Sequence, residues 1–262
     1  MEQKRFRSLE INGGTVRWAE TLRLEIPAAR RGYADAQIDD YGNSLKRRWM
    51  HRSRADYPWR PSVRLCLRAR FSHPGQALTG TAGFGFWNAP FGDPTVRWPA
   101  LPQACWFFFA SEPSDLPLNL HGAGQGWFVS TLDMSPFRAI SLAPLMPLVV
   151  LLNQVAGLRR RIWPVIRRSF NISYLQLEQD MGQWHDYELC WRTGGCTFLV
   201  DGETVLETPH TPRGPLGFVC WLDNQYLVLT SRGRFAWGVL PVRESQWLEV
   251  DDLRIESTTL QL

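Results

Sequence analysis

Residues 183–204 read Gln-Trp-His-Asp-Tyr-Glu-Leu-Cys-Trp-Arg-Thr-Gly-Gly-Cys-Thr-Phe-Leu-Val-Asp-Gly-Glu-Thr, and this stretch leaves the backbone little choice. In an extended chain successive side chains point to opposite faces, so His185, Tyr187, Leu189 and Trp191 share one side of a strand. Thr193 to Gly195 supply a turn, Phe198 and Val200 return on a second strand, and Val200-Asp201-Gly202 turns the chain again. In this register Cys190 and Cys196 are not directly opposite, so the hairpin requires no disulfide.

Other segments repeat the alternation. Residues 15–18 and 21–26 read as short edge strands. Residues 33–41 place Asp35, Gln37 and Asp39 on one face of a strand, followed by a basic, Trp-containing stretch at 46–51. From 63 to 71, Arg64, Arg68 and Arg70 alternate with Val63, Leu65, Leu67 and Ala69, which predicts one wet face. The glycines of 80–88 remove side chains where a backbone or ligand approaches closely; no helical pattern follows them, so a dinucleotide loop is excluded. Residues 104–110 are apolar on both faces, which requires cover on both. Late strands at 216–222, 226–230, 235–240 and 247–255 complete the cadence of an all-β sandwich.

Residues 136–170 break the pattern. Leu148, Leu151, Leu152 and Val155 have helical spacing, and Arg159-Arg160-Arg161 and Arg167-Arg168 follow. The apolar run of 139–152 is too short to span a bilayer and contains Pro144 and Pro147. Two short inserted helices are expected. They could form a fixed cap, a lid over a cleft, or a contact with anionic lipid.

Composition narrows the function classes. A chain of 262 residues suits one large sandwich domain. A net charge of +4, with arginines spread among acidic residues, argues against nucleic acid as a partner. The first residues carry no secretory apolar run and the five cysteines are scattered, so reduced thiols in a cytoplasmic protein are expected. His51, His73, His121, His185 and His210 lack ligand spacing and no cysteine pair has a two-residue gap, so no metal site is expected. Serine-nucleophile chemistry finds no Gly-x-Ser-x-Gly elbow.

The order Trp184-His185-x-Tyr187, then Trp191, then Val200-Asp201-Gly202, resembles the concanavalin A-like lectin and glucanase superfamily, family 16 glycoside hydrolases above all. Residues 248–255, Leu-Glu-Val-Asp-Asp-Leu-Arg-Ile, resemble that family's closing strand, with Asp252 where it usually carries Tyr. The resemblance covers about 62–135 and 183–256 and implies a jelly-roll sandwich, here with the helical insertion at 136–170. It also implies a structural calcium near Asp251, although one carboxylate is a thin ligand set. The family's catalytic Glu-x-Asp-x-Glu strand follows a Trp-Pro segment. Here Trp98-Pro99 is followed by Cys105-Trp106-Phe107-Phe108-Phe109-Ala110, and no acid occupies the strand. Glu112 and Asp115 lie beyond it in a Pro-containing loop. Retaining glycoside hydrolysis needs two carboxyls flanking the bond.

Matching that strand to the cleft puts Cys105, Phe107 and Phe109 on its floor. Such a floor offers apolar area and few hydrogen bonds, which suits a hydrophobic small molecule. Trp87, Asn88, Gln37, Trp221, Asn224, Gln225 and Tyr226 are the expected ligand contacts. Asp39, Asp223 and His185 are the candidate acid–base groups, His185 because it matches the family's hairpin His. The expected function is binding of a terpenoid or polyketide-like molecule, as a cyclase or isomerase without metal or other cofactor. The rivals are a lectin-like glycan-binding protein and a hydrolase with carboxylates relocated to Asp39, Asp40 or Asp223.

Overall fold

The computed structural model describes residues 5–42, 57–90, 100–116, 118, 124–135 and 143–257. The basic stretch at 46–51, Trp98-Pro99, His121 and the first part of the insert lie outside the described residues.

Two antiparallel sheets of seven strands face each other. The first runs, edge to edge, β1 (Arg7–Ile11), β4 (Asp35–Asp39), β13 (Gly217–Asp223), β6 (Thr81–Trp87), β7 (Gln103–Ala110), β8 (Gly126–Asp133) and β9 (Ser173–Gln176). The second runs β12 (Glu203–Thr208), β11 (Gly195–Val200), β10 (His185–Arg192), β5 (Val63–Phe71), β16 (Gln246–Ser257), β3 (Leu22–Ile26) and β2 (Thr15–Trp18). A separate ribbon pairs β14 (Gln225–Leu229) with β15 (Phe235–Val239). Between β8 and β9 the chain forms a short 3-10 turn, then α1 (Met146–Leu152) and α2 (Ala156–Ser169). Two seven-stranded antiparallel sheets face to face, with a helical insertion, make the all-β sandwich that the strand pattern predicts.

The hairpin of 183–204 forms as its alternation requires. Tyr187, Leu189 and Trp191 are buried, and β10 pairs with β11 so that Cys196 faces Trp191 and Cys190 faces Thr197. All five cysteines are free thiols. In β5 every second side chain from Val63 is buried, while Arg64 points outward to a bidentate ion pair with Glu188 at 2.7 and 2.8 Å.

The inter-sheet layer is an aromatic lattice. Phe107 lies 5.0 Å from Tyr187 and 5.4 Å from Phe198 by ring centroids, and Phe86 lies 5.5 Å from Trp191. Offset and edge-on rings at these separations add to the gain from burying their area. This layer holds Cys105, Phe107 and Phe109, each fully buried, so they face the second sheet and not the cleft expected of them. Their neighbours Ala104, Trp106, Phe108 and Ala110 occupy the opposite face of β7. A shift of one residue in matching a strand exchanges its two faces, and that shift separates the expectation from the structure. Because β7 is apolar on both sides, hydrophobicity alone cannot reveal its register.

The parity has a measurable consequence. Phe107→Ala removes a ring from a sealed layer and is expected to cost about 3–5 kcal/mol in denaturant unfolding. Trp106→Ala opens a wall that already borders empty space and is expected to cost clearly less.

Candidate ligand-binding cavity

The outward face of the first sheet is the floor of a cavity of about 840 Å³. Five rings tile it. Trp87 and Trp221 are nearly parallel, 8° apart with centroids at 6.5 Å; Trp106 lies 5.6 Å from Trp221 and 4.9 Å from Phe108, and Phe108 lies 5.2 Å from Phe128. The tiling depends on the glycines of β6. A Cβ on Gly83 would come within 2.9 Å of the Trp221 ring and 2.3 Å of the Phe107 carbonyl oxygen, so only glycine lets the indole lie on the strand.

The insert and the β14–β15 ribbon cover this floor. From α1 come Val149, Val150 and Asn153, and from α2 come Trp163, Ile166 and Phe170, residues that lie on one helical side. The ribbon is anchored by backbone bonds between Asp115 and both Leu227 and Leu229, at 3.0 and 2.8 Å. Asn153 Nδ2 donates to Ser231 O and Gln154 Nε2 donates to Arg232 O, both at 3.0 Å, which fastens α1 to the ribbon's tip.

At one edge the apolar wall gives way to a carboxyl pair. Asp35 and Asp223 are direct partners across β4 and β13, so both side chains leave the sheet on the cavity side. They are the acidic members of the cavity wall among the described residues. Asp223 Oδ1 accepts from Thr81 Oγ1 at 2.8 Å, Thr81 N at 3.3 Å and Gln225 N at 3.0 Å, while among the described residues none donates to Oδ2. Burial pushes its pKa up to about 6, against the pull of those three donors. Asp35 is more isolated: neither oxygen has a hydrogen-bond partner of normal geometry, although the Tyr33 hydroxyl is near enough to favour the charged form. Burial and then the charge of Asp223 raise its pKa well above the usual carboxylate range. The result is a pair of carboxyls on a greasy wall, both with raised pKa values.

The structure brings together part of the expected residue set. Gln37, Trp87, Trp221, Asp223, Gln225 and Tyr226 line the cavity. Asp39 does not; its carboxylate is clamped by Arg7 at 2.6 and 2.9 Å, by Gln37 and by the Gly42 amide. Asp40 accepts from Trp59 Nε1 and the Phe218 amide, away from the cavity. Asn88 ties the end of β6 to Leu101 and Gln103. Asn224 is fully buried and cross-links Gly32, Ala34 and Leu240. His185 sits in the second sheet, held by Asp201 at 2.6 Å and the Asp180 carbonyl at 3.2 Å. Asp251 Oδ1 accepts the Asp252 amide, and among the described residues no group of three or more His, Cys, Asp or Glu is placed to hold a metal ion. Asp35 shares a strand face with Gln37, so alternation already marked it; Trp106, Phe108, Tyr33 and Thr81 carried no such signal.

No family profile and no curated protein sequence matches the chain. Solved structures similar to it include a GlcNAcα1-4Gal-releasing endo-β-galactosidase from Clostridium perfringens, at 11% identity and TM-score 0.47, over 95% of this chain and 59% of that one. Another is the catalytic domain of an endo-1,3-β-glucanase (laminarinase) from Thermotoga petrophila, at 9% identity and TM-score 0.48, over 99% and 94%. A family 7 alginate lyase matches at 10% identity and TM-score 0.45, over 96% and 84%. The chain thus spans about three fifths of the first of these proteins. At such likeness no residue role passes to this chain.

The raised carboxyl pKa values fix a sign for stability. A carboxyl that holds its proton more tightly in the fold than in the unfolded chain stabilises fully below about pH 4 and loses that contribution as pH rises through its folded value, about 6 for Asp223. Asp223→Asn keeps an acceptor for Thr81 and Gln225 but cannot ionise. Relative to wild type it is expected to gain on the order of 2–3 kcal/mol between pH 4 and pH 8, measured by urea unfolding across that range.

Proposed function

We propose that the protein encloses a hydrophobic small molecule in this cavity and that Asp223 moves a proton on it, in an isomerisation or ring closure. The observation that carries the reading is the carboxyl pair set in the wall of an aromatic-floored cavity. A carboxyl titrating near pH 6 is populated in both forms close to neutrality, so it can give a proton at one atom of the ligand and take one from another. The ligand then keeps its composition, and Asp223 returns to its starting state. Tryptophan faces beside an enclosed ligand favour developing positive charge. The cap excludes water that would otherwise trap such a species. Asp35, whose pKa is raised by burial and by the neighbouring Asp223 charge, is a positioning residue that resists a second negative charge beside Asp223.

Glycan hydrolysis is disfavoured by the lining. The wall around the pair is mostly apolar and offers few groups to hold sugar hydroxyls. A glycan-binding reading without cleavage draws support from the coplanar Trp87 and Trp221, since flat indoles also stack on sugar rings.

Thermal shift separates the two. Long-chain isoprenoid alcohols or fatty acids at about 100 times their Kd should add about 2.7 kcal/mol, a rise of roughly 5–10 °C. Trp106→Ala should lose that rise, while Asp223→Asn should keep it yet fail to exchange ligand protons with deuterated water. A rise with oligosaccharides and none with any apolar probe would overturn the reading.

A further inference from the structure

The cap carries exposed apolar surface. On α1 the residues turned from the cavity are Leu148 and Leu151, with Leu145 before them and Val155 after, at helical spacing. They are 50–66% exposed. On the ribbon, Gln225 pairs with Val239, Leu227 with Trp237, and Leu229 with Phe235, so these six side chains share one face. Trp237 is 73% and Phe235 65% exposed. The two elements adjoin: Asn153 and Gln154 bond to Ser231 and Arg232, and a Cβ on Gly233 would lie 2.8 Å from Val150. Gln225, Leu227 and Leu229 line the cavity as well, so the ribbon's exposed face is shared with the cavity wall.

Within the two segments that form the patch, the charge has one sign. Residues 143–170 and 225–240 contain seven arginines and no Asp or Glu. Arg160, Arg161, Arg168, Arg232 and Arg234 are exposed. A second copy of this chain is a poor occupant, because its own patch would bring the same uncompensated positive charge to the interface. An anionic lipid surface answers both features: exposed leucines, Phe235 and Trp237 enter the headgroup boundary while the arginines meet phosphate and carboxylate. Tryptophan is favoured at that depth, and no helix of the described residues is long and apolar enough to cross a membrane.

We infer that the cap formed by α1, α2 and the β14–β15 ribbon docks on an anionic phospholipid membrane, with the cavity's cover against the bilayer. The inference stands on exposure and charge alone and does not depend on what the cavity holds.

Cosedimentation of the full chain with vesicles tests it. Binding is expected to mixed phosphatidylcholine and phosphatidylserine vesicles at low salt, to weaken as salt rises, and to be slight on phosphatidylcholine alone. Phe235→Ser with Trp237→Ser should weaken it by at least about tenfold. Arg160→Gln with Arg161→Gln should weaken it by about fivefold per arginine removed. Both pairs are exposed, so unchanged thermal unfolding without vesicles confirms that each variant is folded. Absence of binding by the wild type, binding equal in both variants, or a concentration-dependent dimer abolished by Trp237→Ser would overturn the proposal, the last by assigning the surface to a second copy.

Discussion

The first sheet must be covered on both faces, and the rest of the molecule follows from that. Its central strands β6, β7 and β13 carry almost no polar side chains: β7 reads Gln-Ala-Cys-Trp-Phe-Phe-Phe-Ala and β13 Gly-Phe-Val-Cys-Trp-Leu-Asp. One face gains cover from the second sheet, which buries Phe84, Phe107 and Phe218 completely. The other has no third sheet to meet. Left to water, Trp106, Phe108 and Trp221 would form an apolar patch of the kind that folded monomers avoid. The insert and the ribbon cover it, but helices and a two-stranded ribbon do not interdigitate with a sheet as another sheet does. The space left between them is the cavity.

That space sets the electrostatics of its wall. A carboxyl beside bulk water would keep an ordinary pKa, and one deep in the inter-sheet layer would have no access to a ligand. Asp223 sits between these limits at the C-terminal end of β13, with one oxygen saturated by three donors and the other given none by the described residues. Asp35 has no hydrogen-bond partner of normal geometry, and its pKa is raised further. Buried carboxyl oxygens without partners are uncommon in folded proteins, since each forgoes hydration for no return. Their position beside a cavity, not within the core, is what distinguishes this pair from Asp39 and Asp40, whose burial is offset by Arg7, Trp59 and backbone amides.

Strands were legible in the sequence wherever one face is wet. In β5 and β10 the arginines and glutamates mark the outer side unambiguously, and the structure matches residue by residue. Where both faces are apolar, alternation carries no phase. Cys105, Phe107 and Phe109 were therefore indistinguishable from Ala104, Trp106 and Phe108 as cleft residues until neighbouring strands fixed the register. The polar edge behaved differently. Asp35 and Gln37 on β4 and Trp221 and Asp223 on β13 were each visible locally, but only the pairing of β4 with β13 makes them one site. Asn88 and Asn224 illustrate the converse: polar side chains at strand ends beside a site, absorbed by backbone groups that the turns leave unpaired.

The same requirement for cover applies to the cap itself. In α1, Met-Pro-Leu-Val-Val-Leu-Leu has no polar residue, so a helix that shields the cavity with Val149 and Val150 necessarily presents Leu148 and Leu151 on its other side. A helix needed only as a cover would carry charges there, as β5 does on its outer face. The ribbon repeats the choice with Phe235 and Trp237. Two adjoining elements that expose apolar side chains, on segments that carry arginine and no acid, suit a surface that is itself apolar within and anionic at its edge.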